Sequence, residues 1–200
     1  GTRPEAIKMA PIMEALKALD GGLETALALT GQHTEMVDQV LESFGLEPDF
    51  DLGIMKEGQD LYDLAHACLQ GLRKVVADYR PELILVQGDT ATVFYTSLVA
   101  FIEGIRVGHV EAGLRSGNKW APFPEEIFRR LVDVLADHYF APTPLARENL
   151  RKEGVPEERI HLTGNTVVDA LFSAWTVGRT PAHPALRKLL EKEANLVLLT

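Results

Sequence analysis

Leu83-Ile84-Leu85-Val86-Gln87-Gly88-Asp89-Thr90 decides the architecture of this chain. Four apolar residues run without interruption, and a glycine and an acid then stop them. An unbroken apolar run of this length reads as a strand over residues 82–87, of the kind found in parallel sheets covered on both faces. The same grammar returns at Arg106-Val107-Gly108-His109-Val110-Glu111-Ala112-Gly113, where a strand over 106–110 again delivers an acid just past its end. Between them, residues 92–102 are apolar on nearly all sides, which predicts a buried helix. Strand, helix, strand with short connections is a right-handed crossover unit, and it implies that both acids arrive at the same edge of one parallel sheet.

Working outward, the alternation continues. Leu61, Leu64, Ala65, Cys68, Leu72, Val75 and Tyr79 recur at three- and four-residue steps and predict a helix over 60–79. A helix over 4–19 starts at Pro4, a residue suited to a first turn, and Pro11 is expected to kink or restart it. A short strand over 25–30 follows, then a helix over 33–44 closed by Gly45. Downstream come a helix over 124–136, a strand over 138–141, a helix over 144–152, a strand over 160–162 and a helix over 167–175. The pattern predicts a doubly wound α/β fold with a mostly parallel sheet. Gly178-Arg179-Thr180-Pro181-Ala182-His183-Pro184 breaks it and reads as a linker over 178–184. Gly1-Thr2-Arg3-Pro4-Glu5 reads as a strand-to-helix turn whose strand lies outside the sequence, and Leu196-Val197-Leu198-Leu199 as a buried strand of a second unit.

The 200 residues carry 20 basic and 29 acidic side chains, a formal net charge of -9. That balance argues against non-specific binding to nucleic acid or to an anionic membrane surface. No apolar run approaches the roughly 18–20 residues that span a bilayer, and a cytoplasmic location is expected. The single cysteine, Cys68, excludes an internal disulfide and reads as a small core residue. There is no G-x-G-x-x-G after a strand and no G-x-x-x-x-G-K-[ST], so neither a dinucleotide cofactor nor a P-loop is expected. The six histidines do not cluster at metal-ligand spacing.

In open α/β sheets ligands bind beyond the C-terminal ends of the strands. Arg3, Asp89, Glu111 and Asn165 all fall there. Two readings stand for Asp89: an N-cap or Asx turn for the helix that follows, or a desolvated carboxylate suited to proton transfer. Glutamate is a poor turn former, so Glu111 before Gly113 points to function. His109 shares a strand face with Glu111 by alternation and is either a buried core residue or a catalytic one. Glu125 and Glu126 form i,i+4 pairs with Arg129 and Arg130, or else the prolines of Ala121-Pro122-Phe123-Pro124 aim Glu125 into the site. Arg3 and Lys8 are surface charges or anion ligands at a helix N-terminus. Thr166 and Asp169 resemble a capping box.

Taken together, Gly1-Thr2-Arg3-Pro4-Glu5-Ala6-Ile7-Lys8-Met9-Ala10-Pro11, Thr30-Gly31-Gln32-His33, Gly88-Asp89-Thr90, Gly108 to Arg115, Pro122 to Glu126 and Thr163-Gly164-Asn165-Thr166 resemble the non-hydrolysing UDP-N-acetylglucosamine 2-epimerases along the whole chain. The resemblance implies the N-terminal half of a two-domain glycosyltransferase-B architecture. Residues 1–177 would form a Rossmann-like domain lacking its first strand, 178–184 the linker, and 185–200 the start of a second Rossmann-like domain. It implies reversible epimerisation at C2 of UDP-GlcNAc, by elimination of UDP to 2-acetamidoglucal and re-addition to give UDP-ManNAc for cell-surface polysaccharide. No cofactor is needed, and a homodimer is expected. The family's acids fall on Asp89, Glu111 and Glu125. Arg3, Lys8, His109, Arg115 and Asn165 fall on substrate-binding positions, and Gln32 and His33 on an allosteric segment. Phe128 stands where the family usually has Asn, and Glu35 and Gly58 stand where allosterically activated members carry glutamine and arginine. A hydrolysing 2-epimerase, a glycosyltransferase or a nucleotide-sugar-binding module on the same scaffold are the competing readings, and the 200 residues alone are expected to be inactive.

Overall fold

The computed structural model describes residues 2–19, 21–31, 35–56, 58–176 and 183–190. Four strands build the main sheet: β3 (Leu83–Gln87), β4 (Arg106–Val110), β5 (His138–Ala141) and β6 (Ile160–Leu162), all parallel and in sequence order. A smaller parallel pair joins β1 (Ala28–Leu29) to β2 (Phe50–Asp51). The helices are α1 (Arg3–Ala18), α2 (Glu35–Ser43), α3 (Leu61–Tyr79), α4 (Ala91–Ile102), α5 (Glu125–Leu135), α6 (Pro144–Lys152), α7 (Val167–Thr176) and α8 (Pro184–Leu190). α4 packs between α3 and α5, while α1 packs against α2 and α7.

The main core lies under β3–β6, where Val86, Val107, Tyr139, Ala141 and Ile160 of the strands meet Val93, Ala100, Val132 and Leu150 of the helices. Gly108 is what lets β4 pack so closely: a Cβ there would lie 2.6 Å from Leu85 and 3.2 Å from Phe140. A second cluster joins α1 and α2 through Ala10, Met13, Val37 and Leu41. A third covers α3 through Cys68, Leu72, Val76 and Val99. Cys68 is a core residue, and burial pushes its thiol up to about 11.

β4, β5, β6 and α6 carry the expected bounds. Other expectations need correction. α1 runs as one helix through Pro11, because packing of Ala10 and Met13 against α2 outweighs the lost backbone donor. The expected strand over 25–30 narrows to two residues. Leu27 leaves the ladder, its carbonyl accepting from the amides of both Asp49 and Phe50. β2 was not expected at all. β3 is covered on both faces only towards its end; Leu83 is 40% exposed because β3 is an edge strand of its sheet. In α3 the buried seam ends on Val76 rather than Val75. Most of the linker over 178–184 and the final strand lie outside the described residues, as do Gln32 and His33. Of the linker segment, Pro184 already opens α8. Among the described residues, no helix is long and apolar enough to cross a membrane.

Candidate active site

β3 and β4 pair so that Gln87 lies opposite Val110. The residues that follow them, Gly88-Asp89 and Glu111, are therefore neighbours beyond one sheet edge. The chain must leave β4 sharply, and Glu111 takes a left-handed backbone conformation (φ 70°) to do so. Being outside the strand, it does not share a face with His109 by alternation.

Glu111 is the centre of a cradle. Lys8 Nζ donates to its two carboxylate oxygens at 2.9 and 2.7 Å. Gln87 Nε2 donates to Oε2, and Asn165 Nδ2 donates to Oε1 at 2.7 Å. These donors come from α1, β3 and the turn before α7. Asn165 is itself fixed, its Oδ1 accepting from the Val167 amide at 3.1 Å. The Thr166 hydroxyl, read above as a cap, donates to the Lys8 carbonyl at 2.6 Å and ties the two donor segments together.

Asp89 is not the N-cap of α4; Thr90 is. Its carboxylate pairs instead with the Arg129 guanidinium. Burial raises the Asp89 carboxyl above its ordinary value. Arg129 pulls it down only in part, and the charges of Glu125 and Glu111 push it up again. Glu111 and Glu125 thus both stand within electrostatic reach of Asp89. Glu125 is half-buried in the first turn of α5.

The i,i+4 surface pair expected of Glu126 is absent from the structure's account of it. Glu126 is buried and accepts from the Ser116 and Gly117 amides at 3.0 and 3.3 Å, with Arg129 alongside at 3.6 Å. These amides and Arg129 outweigh the effect of burial and hold the carboxyl below its ordinary value. The turn is tight at Gly113 (φ 82°), where a Cβ would lie 2.3 Å from the Ala146 carbonyl oxygen.

Two expected substrate residues are committed elsewhere. Arg115 donates to Glu153, to Asp133 at 2.7 Å and to the Leu114 carbonyl at 2.8 Å. His109 is fully buried, and its ring contacts Asp133 at 2.6 Å and the Gly88 carbonyl at 2.8 Å. Both are thus tied into the structure beneath the two acids. Arg3 is exposed in the first turn of α1. A small hollow of about 130 Å³, lined by Thr2, Thr30, Thr90 and Thr92 together with Met55 and Leu64, opens where α1 and α4 begin. Glu5 braces this corner, accepting from the Thr2 amide and the Thr90 hydroxyl.

A family model described as UDP-N-acetylglucosamine 2-epimerase matches residues 15–200. The chain belongs to the UDP-N-acetylglucosamine 2-epimerase family. It is 51% identical over its whole length to a UDP-N-acetylglucosamine 2-epimerase of Yersinia pestis, covering 54% of that protein. The corresponding Escherichia coli K12 protein is 48% identical, again with 54% covered. The fold superposes on 96% of the chain, with a TM-score of 0.87 and 43% identity, on a Neisseria meningitidis UDP-GlcNAc 2-epimerase solved with UDP-GlcNAc bound; the match covers 51% of that chain. The chain spans about half the length of the curated relatives it matches.

Sequence reasoning missed three residues of this candidate site. Gln87 was visible as the one polar side chain closing an apolar strand. Arg129 was weighed only as a surface partner of Glu125. Asp133 was overlooked, although an acid next to Val132 on the inward face of α5 calls for a buried partner.

Proposed function

We propose that a protein containing this chain at its relatives' full length interconverts UDP-GlcNAc and UDP-ManNAc without hydrolysis and without a cofactor, as a cytoplasmic homodimer supplying ManNAc for surface polysaccharide. The observation that carries this is the gathering of Asp89, Glu111 and Glu125 at the ends of adjacent parallel strands and the start of α5. The C2 proton of the sugar has no carbonyl beside it to make it acidic. Early loss of the UDP oxygen from C1 creates positive charge there. Carboxylates stabilise that charge and make the proton removable, leaving 2-acetamidoglucal. Return of a proton to the opposite face of C2, with UDP adding back to C1, completes the inversion. A raised Asp89 carboxyl keeps a proton more readily than an ordinary aspartate, which suits it to proton transfer, while the Glu111 cradle fixes the second carboxylate in place. Arg3, with the N-termini of α1 and α4 around the hollow, supplies positive potential for the diphosphate.

The test is turnover of UDP-GlcNAc in deuterated water by the full-length protein. Deuterium at C2 in a product that keeps its UDP linkage is expected. Free ManNAc would establish the hydrolysing reaction instead, and an unlabelled C2 would remove proton abstraction from the mechanism altogether.

A further inference from the structure

Beneath the two acids lies a chain of charges, buried at its His109–Asp133 end, that the chemistry above does not use. His109 Nδ1 meets Asp133 Oδ1 at 2.6 Å, and Asp133 Oδ2 accepts from Arg115 Nη2 at 2.7 Å and from the Gly113 amide at 3.2 Å. Arg115 in turn donates to Glu153 through Nε and Nη2, at 2.8 and 2.5 Å. The His109 and Asp133 side chains are 1% and 2% exposed.

Counting donors fixes the protons. The Gly88 carbonyl can only accept, so His109 Nε2 carries a hydrogen. Asp133 Oδ2 accepts from both the Arg115 guanidinium and the Gly113 amide. The 2.6 Å approach of Nδ1 to Oδ1 then needs a second proton between ring and carboxyl. With that proton the His109–Asp133 pair is neutral as a unit, and Arg115 faces Glu153 at the exposed end, so the chain sums to zero. The placement matters as much as the charge. Gly88 immediately precedes Asp89, and Gly113 closes the turn that begins at Glu111.

We propose that His109 is a buried positioning residue, which with Asp133 pins the Gly88–Asp89 turn and the Glu111–Gly113 turn at one fixed separation. The inference rests on the reading of Asp89 and Glu111 as the acid–base pair. Proton transfer tolerates little displacement, and misplacement by about 1 Å can cost ~10²-fold in rate.

The experiment uses the full-length protein with ¹⁵N-labelled histidine rings, the His109 signals being those lost in His109→Gln. A proton on Nε2 and a second proton held in the Nδ1–Asp133 contact are expected; absence of either overturns the proposal. In parallel, His109→Gln and Asp133→Asn are expected to lower kcat at least ~10-fold while KM for UDP-GlcNAc stays within ~3-fold. A residue that only supports the fold would lower Tm and leave kcat per folded molecule intact, and that result overturns the proposal. Should both variants fail to fold, the wild-type spectrum decides alone. Wild-type turnover in Asp89→Asn and Glu111→Gln would sink the proposed function itself. Loss of turnover there, with none in His109→Gln, would sink only the present inference.

Discussion

Glu111 and Asp89 stand at the same sheet edge and are held in contrasting ways. Glu111 sits among donors drawn from Lys8, Gln87 and Asn165, so three segments distant in sequence fix one carboxylate. Asp89 has one charged partner, Arg129, and burial that works against its charge. The first arrangement suits a group that must stay put. The second suits one whose proton can come and go. One sheet edge thus carries two carboxylates held by different surroundings.

The largest effect that would break this contrast is at the acids themselves. Asp89→Asn and Glu111→Gln are each expected to lower turnover at least ~10²-fold in a C2 deuterium-exchange assay. Wild-type rates in both would remove the pair from the chemistry. Next, Arg129→Gln takes away the cation that restrains Asp89. Its carboxyl then rises further, and the limb of the pH–rate profile that reports Asp89 moves to higher pH. A limb that stays in place or moves down would show that Arg129 does not act on Asp89.

Acid stability probes the floor beneath the pair. Asp133 and Glu126 are both held below their ordinary values. Their contributions are therefore complete above the ordinary carboxylate range, about pH 4, and drain away as pH falls through their lowered folded-state values. Urea unfolding is expected to show stability falling steeply below about pH 4, and less steeply in Glu126→Gln. An unchanged slope would contradict the burial of that carboxylate among amides. The smallest effect is expected at the Arg147–Glu157 pair, which is open to solvent on both sides. Arg147→Ala should change stability by no more than ~0.5 kcal/mol and leave turnover alone.

The main sheet was legible because its strands are short runs cut off sharply: β3 by Gly88, β4 by Glu111, β5 by Pro142 and β6 by Thr163-Gly164. β2 was not legible, and β1 only as part of the longer run over 25–30, since two-residue strands carry no periodicity and their pairing is fixed by distant partners such as Asp49 on Leu27. In the site, Asp89, Glu111, Lys8 and Asn165 were named and are brought together. Glu126 and Asp133 were not read as inward-facing because charge at helical spacing looks the same whether it faces water or a buried amide. Only the tertiary partners, Ser116 and Gly117 for one and His109 for the other, decide which.

Positions 125, 129 and 133 climb α5 at four-residue steps, so they form a single stripe along one rod. Its first rung is an acid of the site, its second grips Asp89, and its third grips the turn behind Glu111. The helix therefore lies like a ruler beside the cleft, touching the surroundings of all three carboxylates. Because Glu111 is held from α1, β3 and the turn before α7, sliding this rod along the sheet would change the gap between Glu125 and Glu111, and any bend within its first two turns would do the same.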